Sequence, residues 1–347
     1  MATRVEGRDE AQAAAARRRG LLAALSGAVL ATAYAFSFVF AQGTPAPHKL
    51  PIAIAGPAAQ AQRLARQVER GAGEDYAVRP LRSRRAAVRE LRRGDIYLAA
   101  VVGSGPVRFL AAPARGRDAV MGTVLALPKL LGVPRSAPPQ VEEVVPLVGE
   151  DPEGQVLNLQ LFPPIIVGIV VPILLLMLAP ALTVRSRLAT VALFSLLGGL
   201  GSMLMSNVAL DALPGSYLAL SGVAILLAFA IGSCTTAFIG ALGPPGVALS
   251  LLLFLIIGNV ASGAAVQHEL LPAFYRIVGP YLPPGAAADA ERGIAYFDAS
   301  HVLRPLLVLA AFSTLGTAAS LALGGRRPAP QGDPSGPTPD QTAVEGA

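Results

Sequence analysis

Charge is what this chain has least of. Only 14% of its 347 residues are Asp, Glu, Lys or Arg, and 53% are hydrophobic; an ordinary soluble domain carries about 25% charged residues. No charged residue lies between Asp211 and Glu269, a stretch with room for two membrane crossings of about 20 residues each. A soluble core does not absorb uncharged runs of that length, because chains split into domains before their cores grow so large. Cysteine is as scarce. Cys234 is the only one and sits inside an apolar run, so the polar part of the chain has no disulfide and depends on its own packing.

The signatures of catalysis are missing too. No G-x-x-x-x-G-K-[ST] string occurs, and neither lysine, Lys49 or Lys129, adjoins a glycine loop, which excludes nucleotide binding by the P-loop route. His268-Glu269 begins like H-E-x-x-H, but Pro272 stands where the second metal ligand belongs. His48, His268 and His301 all fall at span edges or in loops, so none is placed for an intramembrane Ser–His hydrolase. No catalytic, metal or cofactor-binding residue is assigned, no cofactor is expected, and the chain reads as a non-enzyme. The net charge of +6 comes from arginines spread over a polar segment and span flanks, without the interleaved aromatics that stack bases. Nucleic acid is therefore not an expected partner.

What is present is a one-plus-many layout of apolar runs. A polar leader, 1–19, ends in Arg17-Arg18-Arg19. The first span, 20–41, exceeds the 7–15 apolar residues of a signal peptide and reads as an uncleaved anchor. Five more spans are expected at 161–182, 188–207, 217–239, 247–267 and 303–324, with a disordered tail over 325–347. The second carries Pro163, Pro164, Pro172 and Pro180 and should be kinked or broken. Between the first two spans, 42–160 reads as a small α/β domain. Strands are expected at 51–55, 96–102, 107–111 and near 141–147, and helices near 57–70, 83–93 and 117–131. The fold class is thus an all-α membrane protein of six transmembrane helices with a small α/β extracytoplasmic domain inserted after the first.

Orientation follows from the arginines. With the N-terminus inside, Arg17–Arg19, Arg185 with Arg187, and Arg326-Arg327 all face the cytoplasm, while the short 207–215 loop on the other side has Asp211 and no basic residue. The positive-inside rule requires that arrangement, and long translocated domains escape it. The expectation is a multi-pass protein of the cytoplasmic membrane with both termini cytoplasmic.

Polar residues at membrane depth are costly unless partnered. Ser233, Thr235 and Thr236 in the fourth span and Asn259 in the fifth are the deepest. They read either as a lining for a transport path or, with greater weight, as interhelical hydrogen-bonding groups. The 268–302 loop alternates aromatics with helix breakers: Pro272, Phe274 and Tyr275, then Tyr281-Leu282-Pro283-Pro284-Gly285, then a short helix from Ala286 to Phe297 bearing Arg292 and Tyr296. Too short and polar to cross, it fits a re-entrant or interfacial hairpin among the lipid headgroups.

This last stretch, from Gly263 to Phe297, resembles the corresponding region of the type-2 ABC exporter membrane-domain family, and most the phage-infection-protein-like branch with a large extracytoplasmic domain after span 1. The resemblance implies a six-span permease that forms a homodimer, or a heterodimer with a homologous permease, and is driven by a separate cytoplasmic ATPase. On the family pattern, the leader and the loop holding Thr183, Arg185, Ser186 and Arg187 would meet that ATPase. The cargo expected is lipid-like or amphipathic, with membrane lipids as the surrounding partners. The alternative is a non-transporting receptor or scaffold whose extracytoplasmic domain binds an envelope partner.

Overall fold

The computed structural model describes residues 2–43, 45–132 and 140–324; the 325–347 tail lies outside them. Helix α1 (Ala2–Gln42) runs the leader and the first apolar run together without a break. After it come β1 (Leu50–Ala55), α2 (Ala58–Ala72), β2 (Tyr76–Leu81), α3 (Arg84–Arg93), β3 (Leu98–Val101), β4 (Arg108–Ala111), α4 (Arg117–Leu130) and β5 (Gln140–Glu143). The strands form one mixed sheet in the order β2-β1-β3-β4-β5. β1 is parallel to both β2 and β3, β3 and β4 are antiparallel, and β4 and β5 are parallel.

Local sequence explains these elements. In α2, Ala61, Ala65 and Val68 recur at intervals of four and three and are buried, so Arg63, Arg66 and Arg70 are left on the wet face. Ser83 caps α3 by accepting from the Ala86 amide, and Gly94 closes it. β1 is flanked by strands on both sides and nearly all buried, hence its apolar run. One face of the sheet packs Ile52, Ile54 and Phe109 against α2 and α4. The other packs Ala53, Ala99 and Leu110 against Ala87 and Leu91 of α3.

The second half is helical: α5 (Val156–Gln160), α6 (Phe162–Leu178), α7 (Val184–Met203), α8 (Tyr217–Leu242), α9 (Pro245–Ser250), α10 (Ala273–Val278), α11 (Pro283–Tyr296) and α12 (Leu303–Gly324). Five helical stretches are long and apolar enough to cross a membrane: Ala24–Gln42, Val156–Leu178, Val184–Ala209, Tyr217–Leu242 and Leu303–Leu323. α8 lies at the centre, packed against α6, α7, α9, α11 and α12, and it is apolar on all sides as an enclosed helix must be. α1 is peripheral, with Leu21, Leu25, Val29, Phe36 and Val39 exposed; it touches the bundle along Leu251–Asn259. Pro163 and Pro164 fall in the first turn of α6, where proline fits, and the helix continues past Pro172. The expected break comes instead at Leu161, between α5 and α6.

The run expected as a single span over 247–267 is not one helix. Helical structure extends from Pro245 to Asn259, π-helical from Leu251 onward, and 260–266 is turn and bend. Fifteen α-helical residues would rise about 22 Å, short of the roughly 30 Å hydrocarbon layer. Gly263 sits at φ 73°, a left-handed conformation that stops a helix and suits glycine. The backbone beyond Asn259 is nonetheless enclosed, since Val260, Ala261, Ser262, Gly263 and Ala264 are all buried. Irregular backbone is tolerated at membrane depth only under such cover.

Candidate functional site

The segment from Val260 to Val302 folds inward rather than lying on a surface. Pro283, Pro284, Gly285, Ala286, Ala287, Ala288 and Ala290 are buried, the alanines packed with Leu227 and Ile231 of α8, Phe254 and Leu309. Chain approaches chain closely here. A Cβ on Gly285 would overlap the Gly279 carbonyl oxygen, and one on Gly279 would overlap that of Ala261. Pro283, Pro284 and Gly285 therefore work as a packing device at the start of α11. Phe274, Ile277 and Tyr281 do remain exposed. Tyr275 is buried, and its hydroxyl lies 2.8 Å from that of Ser37 in α1.

The same segment grips the sheet from both sides. Leu270 enters one sheet core and Phe297 the other. The His48 amide donates to the Glu269 carbonyl and the Ala46 amide to that of Leu270. Tyr97, at the threshold of β3, donates its hydroxyl to Glu269 at 2.8 Å. Arg115 lies 3.4 Å from the same carboxylate and stacks 4.4 Å over the Tyr97 ring. Burial and the Glu269 charge push the Tyr97 phenol far up, so it stays a donor. Tyr97→Phe should lower stability by about 1–2 kcal/mol, because Glu269 loses its shortest partner; an unchanged thermal midpoint in detergent would contradict this.

A second group of ionisable side chains adjoins the first. Asp289 lies 3.6 Å from the His268 ring and 3.5 Å from Arg292, and Arg292 donates to the Gly263 carbonyl at 2.7 Å. Burial works to raise the Asp289 carboxyl; His268, Arg292 and Arg115 outweigh it and hold it below its ordinary value. Glu291, two residues on, is fully buried and neither carboxylate oxygen has a partner. Burial pushes its pKa up to about 8, against a smaller opposing pull from Arg292. Tyr296 is pushed up to about 12 by burial first and by the Asp151 charge second. Glu291 is the residue that sequence reasoning missed. The -Ala-Asp-Ala-Glu-Arg- pattern reads as a wet helix face, and only its setting between buried alanines hints otherwise.

Several of these groups, though not Glu291 or Tyr296, line a cleft of about 770 Å³ between the sheet and the inner segment. Its lining includes Tyr97, Arg115, His268, Glu269, Asp289 and Arg292, with Arg93, His301 and Arg304 farther out. The volume falls within the range of small-molecule sites. Among the described residues no three His, Cys, Asp or Glu side chains converge as a metal ion would need.

The other expected site residues are placed elsewhere. Ser233, Thr235 and Thr236 donate to the carbonyls of Ala230, Ile231 and Gly232 within α8, so their hydroxyls are spent on their own helix. Asn259 is buried with its side-chain amide oxygen unpartnered. None of the four lines the cleft. Thr183 caps α7, accepting from the Ser186 amide, and its hydroxyl lies 3.0 Å from that of Ser186. Arg187 donates to the Pro180 carbonyl, and Arg185 is exposed. The loop is thus a capped helix start with the Arg185 side chain exposed. Pro272 precedes α10 as its N-terminal cap position.

No family model, curated protein or solved structure matches this chain.

Proposed function

We propose that the chain is the membrane permease subunit of an ABC-type exporter for a lipid-like or amphipathic compound, with ATP hydrolysed by a separate cytoplasmic subunit. One observation carries the reading: the apolar bundle is interrupted on one side by a short helix, Pro245–Asn259, and a buried non-helical segment joined firmly to the sheet. A bundle that served only as an anchor would need neither the broken helix nor the grip of Leu270 and Phe297 on the two sheet cores. On this reading the short helix and the buried stretch just after it, 260–264, serve as a sixth crossing, with both termini in the cytoplasm and the sheet domain outside it. The exposed apolar faces of α1 and α7, with Phe36, Leu193, Phe194 and Leu197 outward, are available to lipid and to a second permease.

The test is purification in mild detergent with identification of bound proteins. A P-loop ATPase should be retained by the wild type and reduced at least several-fold by Arg185→Glu, since that guanidinium is exposed at the α7 start. Recovery without any ATPase, but with an envelope protein held by the sheet domain, would replace the permease by a receptor or scaffold.

A further inference from the structure

The cleft between the sheet and the inner segment has an imbalance of charge. Its lining holds four arginines, Arg93, Arg115, Arg292 and Arg304, and three carboxylates, Asp95, Glu269 and Asp289. Each carboxylate has a partner: Asp95 has His301 at 3.0 Å, Glu269 has Tyr97 and Arg115, and Asp289 has His268 and Arg292. Arg93 and Arg304, both exposed, pair with no carboxylate among the described residues. The deeper wall adds an unmet donor. Arg115 Nε is buried without a hydrogen-bond partner, while His268 turns its Nε2 toward Asp289 at 3.6 Å. That donor and the surplus guanidinium call for an occupant that brings anionic oxygen.

The mouth of the cleft adds a second requirement. Leu303, Arg304 and Pro305, the first residues of the apolar helix α12, form part of the lining together with Pro280 and Phe297. Leu303 is 70% exposed and Tyr281 is 58% exposed, with the Arg304 guanidinium 4.6 Å over the Tyr281 ring. An arginine and an aromatic ring at the head of a spanning helix mark the level of lipid headgroups. We infer that the cleft binds an amphiphile with a phosphate-type anionic headgroup, the head held by Arg93, Arg115 and Arg304 and the apolar tail passing Pro280, Phe297 and Leu303 toward the bilayer. This deepens the permease reading and rests on it only for calling the ligand a cargo.

Equilibrium binding to the purified full chain in a nonionic detergent tests the assignment, with radiolabelled dodecyl phosphate as probe. Dodecyl phosphate should bind saturably, more weakly at high salt. Arg93→Gln and Arg304→Gln, both at exposed positions, should each weaken binding about threefold and together about tenfold, while Arg70→Gln on the far face of α2 changes nothing. Unchanged thermal midpoints show that the variants fold. Equal binding of dodecyltrimethylammonium, or indifference to the arginine changes, would overturn the inference. Competition by inorganic phosphate at the same affinity would also overturn it, reducing the cleft to a free-anion site. No ATPase enters the assay, so its failure leaves the co-purification result standing, and the converse holds.

Discussion

Gly285→Ala should be among the most damaging single substitutions in the chain, costing on the order of 3 kcal/mol. The added methyl group would meet the carbonyl oxygen of Gly279, a backbone atom that cannot swing aside as a side chain would. Relief requires α11 to lift away from the 279–282 turn. That movement would strip cover from Ala286, Ala287 and Ala288, which are fully buried against α8 and its neighbours. The control is Gly222→Ala in α8, where an added Cβ meets nothing within 4 Å; there the higher helix propensity of alanine should leave stability equal or raise it by up to about 1 kcal/mol. Thermal unfolding of both variants in the same detergent decides the matter. A Gly285→Ala midpoint equal to wild type would mean that the close approach of 279 and 285 is not a feature of the folded protein.

Glu291→Gln should reshape the dependence of stability on pH. The folded-state pKa, about 8, lies above the ordinary glutamate value of 4.5. Between those values the unfolded chain has lost its proton while the folded chain keeps it. The native state then binds more protons, so stability falls as pH rises. The slope approaches 1.4 kcal/mol per pH unit at most and levels off above the folded pKa. Glutamine cannot ionise and keeps much the same shape. The variant should match wild type near pH 5 and exceed it above pH 8 by an amount on the order of 3–5 kcal/mol. A wild type and variant that melt in parallel from pH 5 to 9 would show that Glu291 is paired or wet after all.

The contrast between those two residues shows what the sequence made readable. Gly285 stands in a Pro-Pro-Gly string that advertises a break, although not what the break packs against. Glu291 advertises nothing, because a carboxylate beside an arginine on a short helix is what a solvated face looks like. Its helix is covered by α8, α12 and the π-helical stretch Leu251–Asn259, of which only α12 is near it in sequence. The strands β1, β3 and β4 were legible because each is an apolar run bounded by turn residues. β2 was not, since Arg79-Pro80 argues against a strand; it is tolerated because β2 is a sheet edge, with a partner on β1 alone.

The fifth apolar run is helical over only part of its length, for a related reason. An uncharged stretch of 21 residues satisfies every hydropathy criterion for a span, yet hydropathy does not register that Gly258, Ser262 and Gly263 weaken the helix where buried neighbours can take over its backbone. Hydropathy also missed the division of labour among polar groups. By depth, the serine and threonines of α8 read as path-lining or, with greater weight, as interhelical hydrogen-bonding groups, and their hydroxyls are turned back onto their own helix carbonyls. The arginines and acids of the cleft come from distant parts of the chain, with Arg93, Arg115, His268 and Arg304 brought together only by the docking of the sheet on the inner segment. No spacing rule connects them.

Transport itself tests the account most directly. Inside-out vesicles from cells carrying or lacking this chain can be loaded externally with a fluorescent lysophospholipid bearing a phosphate head, with and without ATP. The permease account predicts saturable, ATP-dependent uptake that requires the chain and is reduced by Arg93→Gln with Arg304→Gln. Uptake that is the same with and without the chain, or that proceeds equally without ATP, would contradict it.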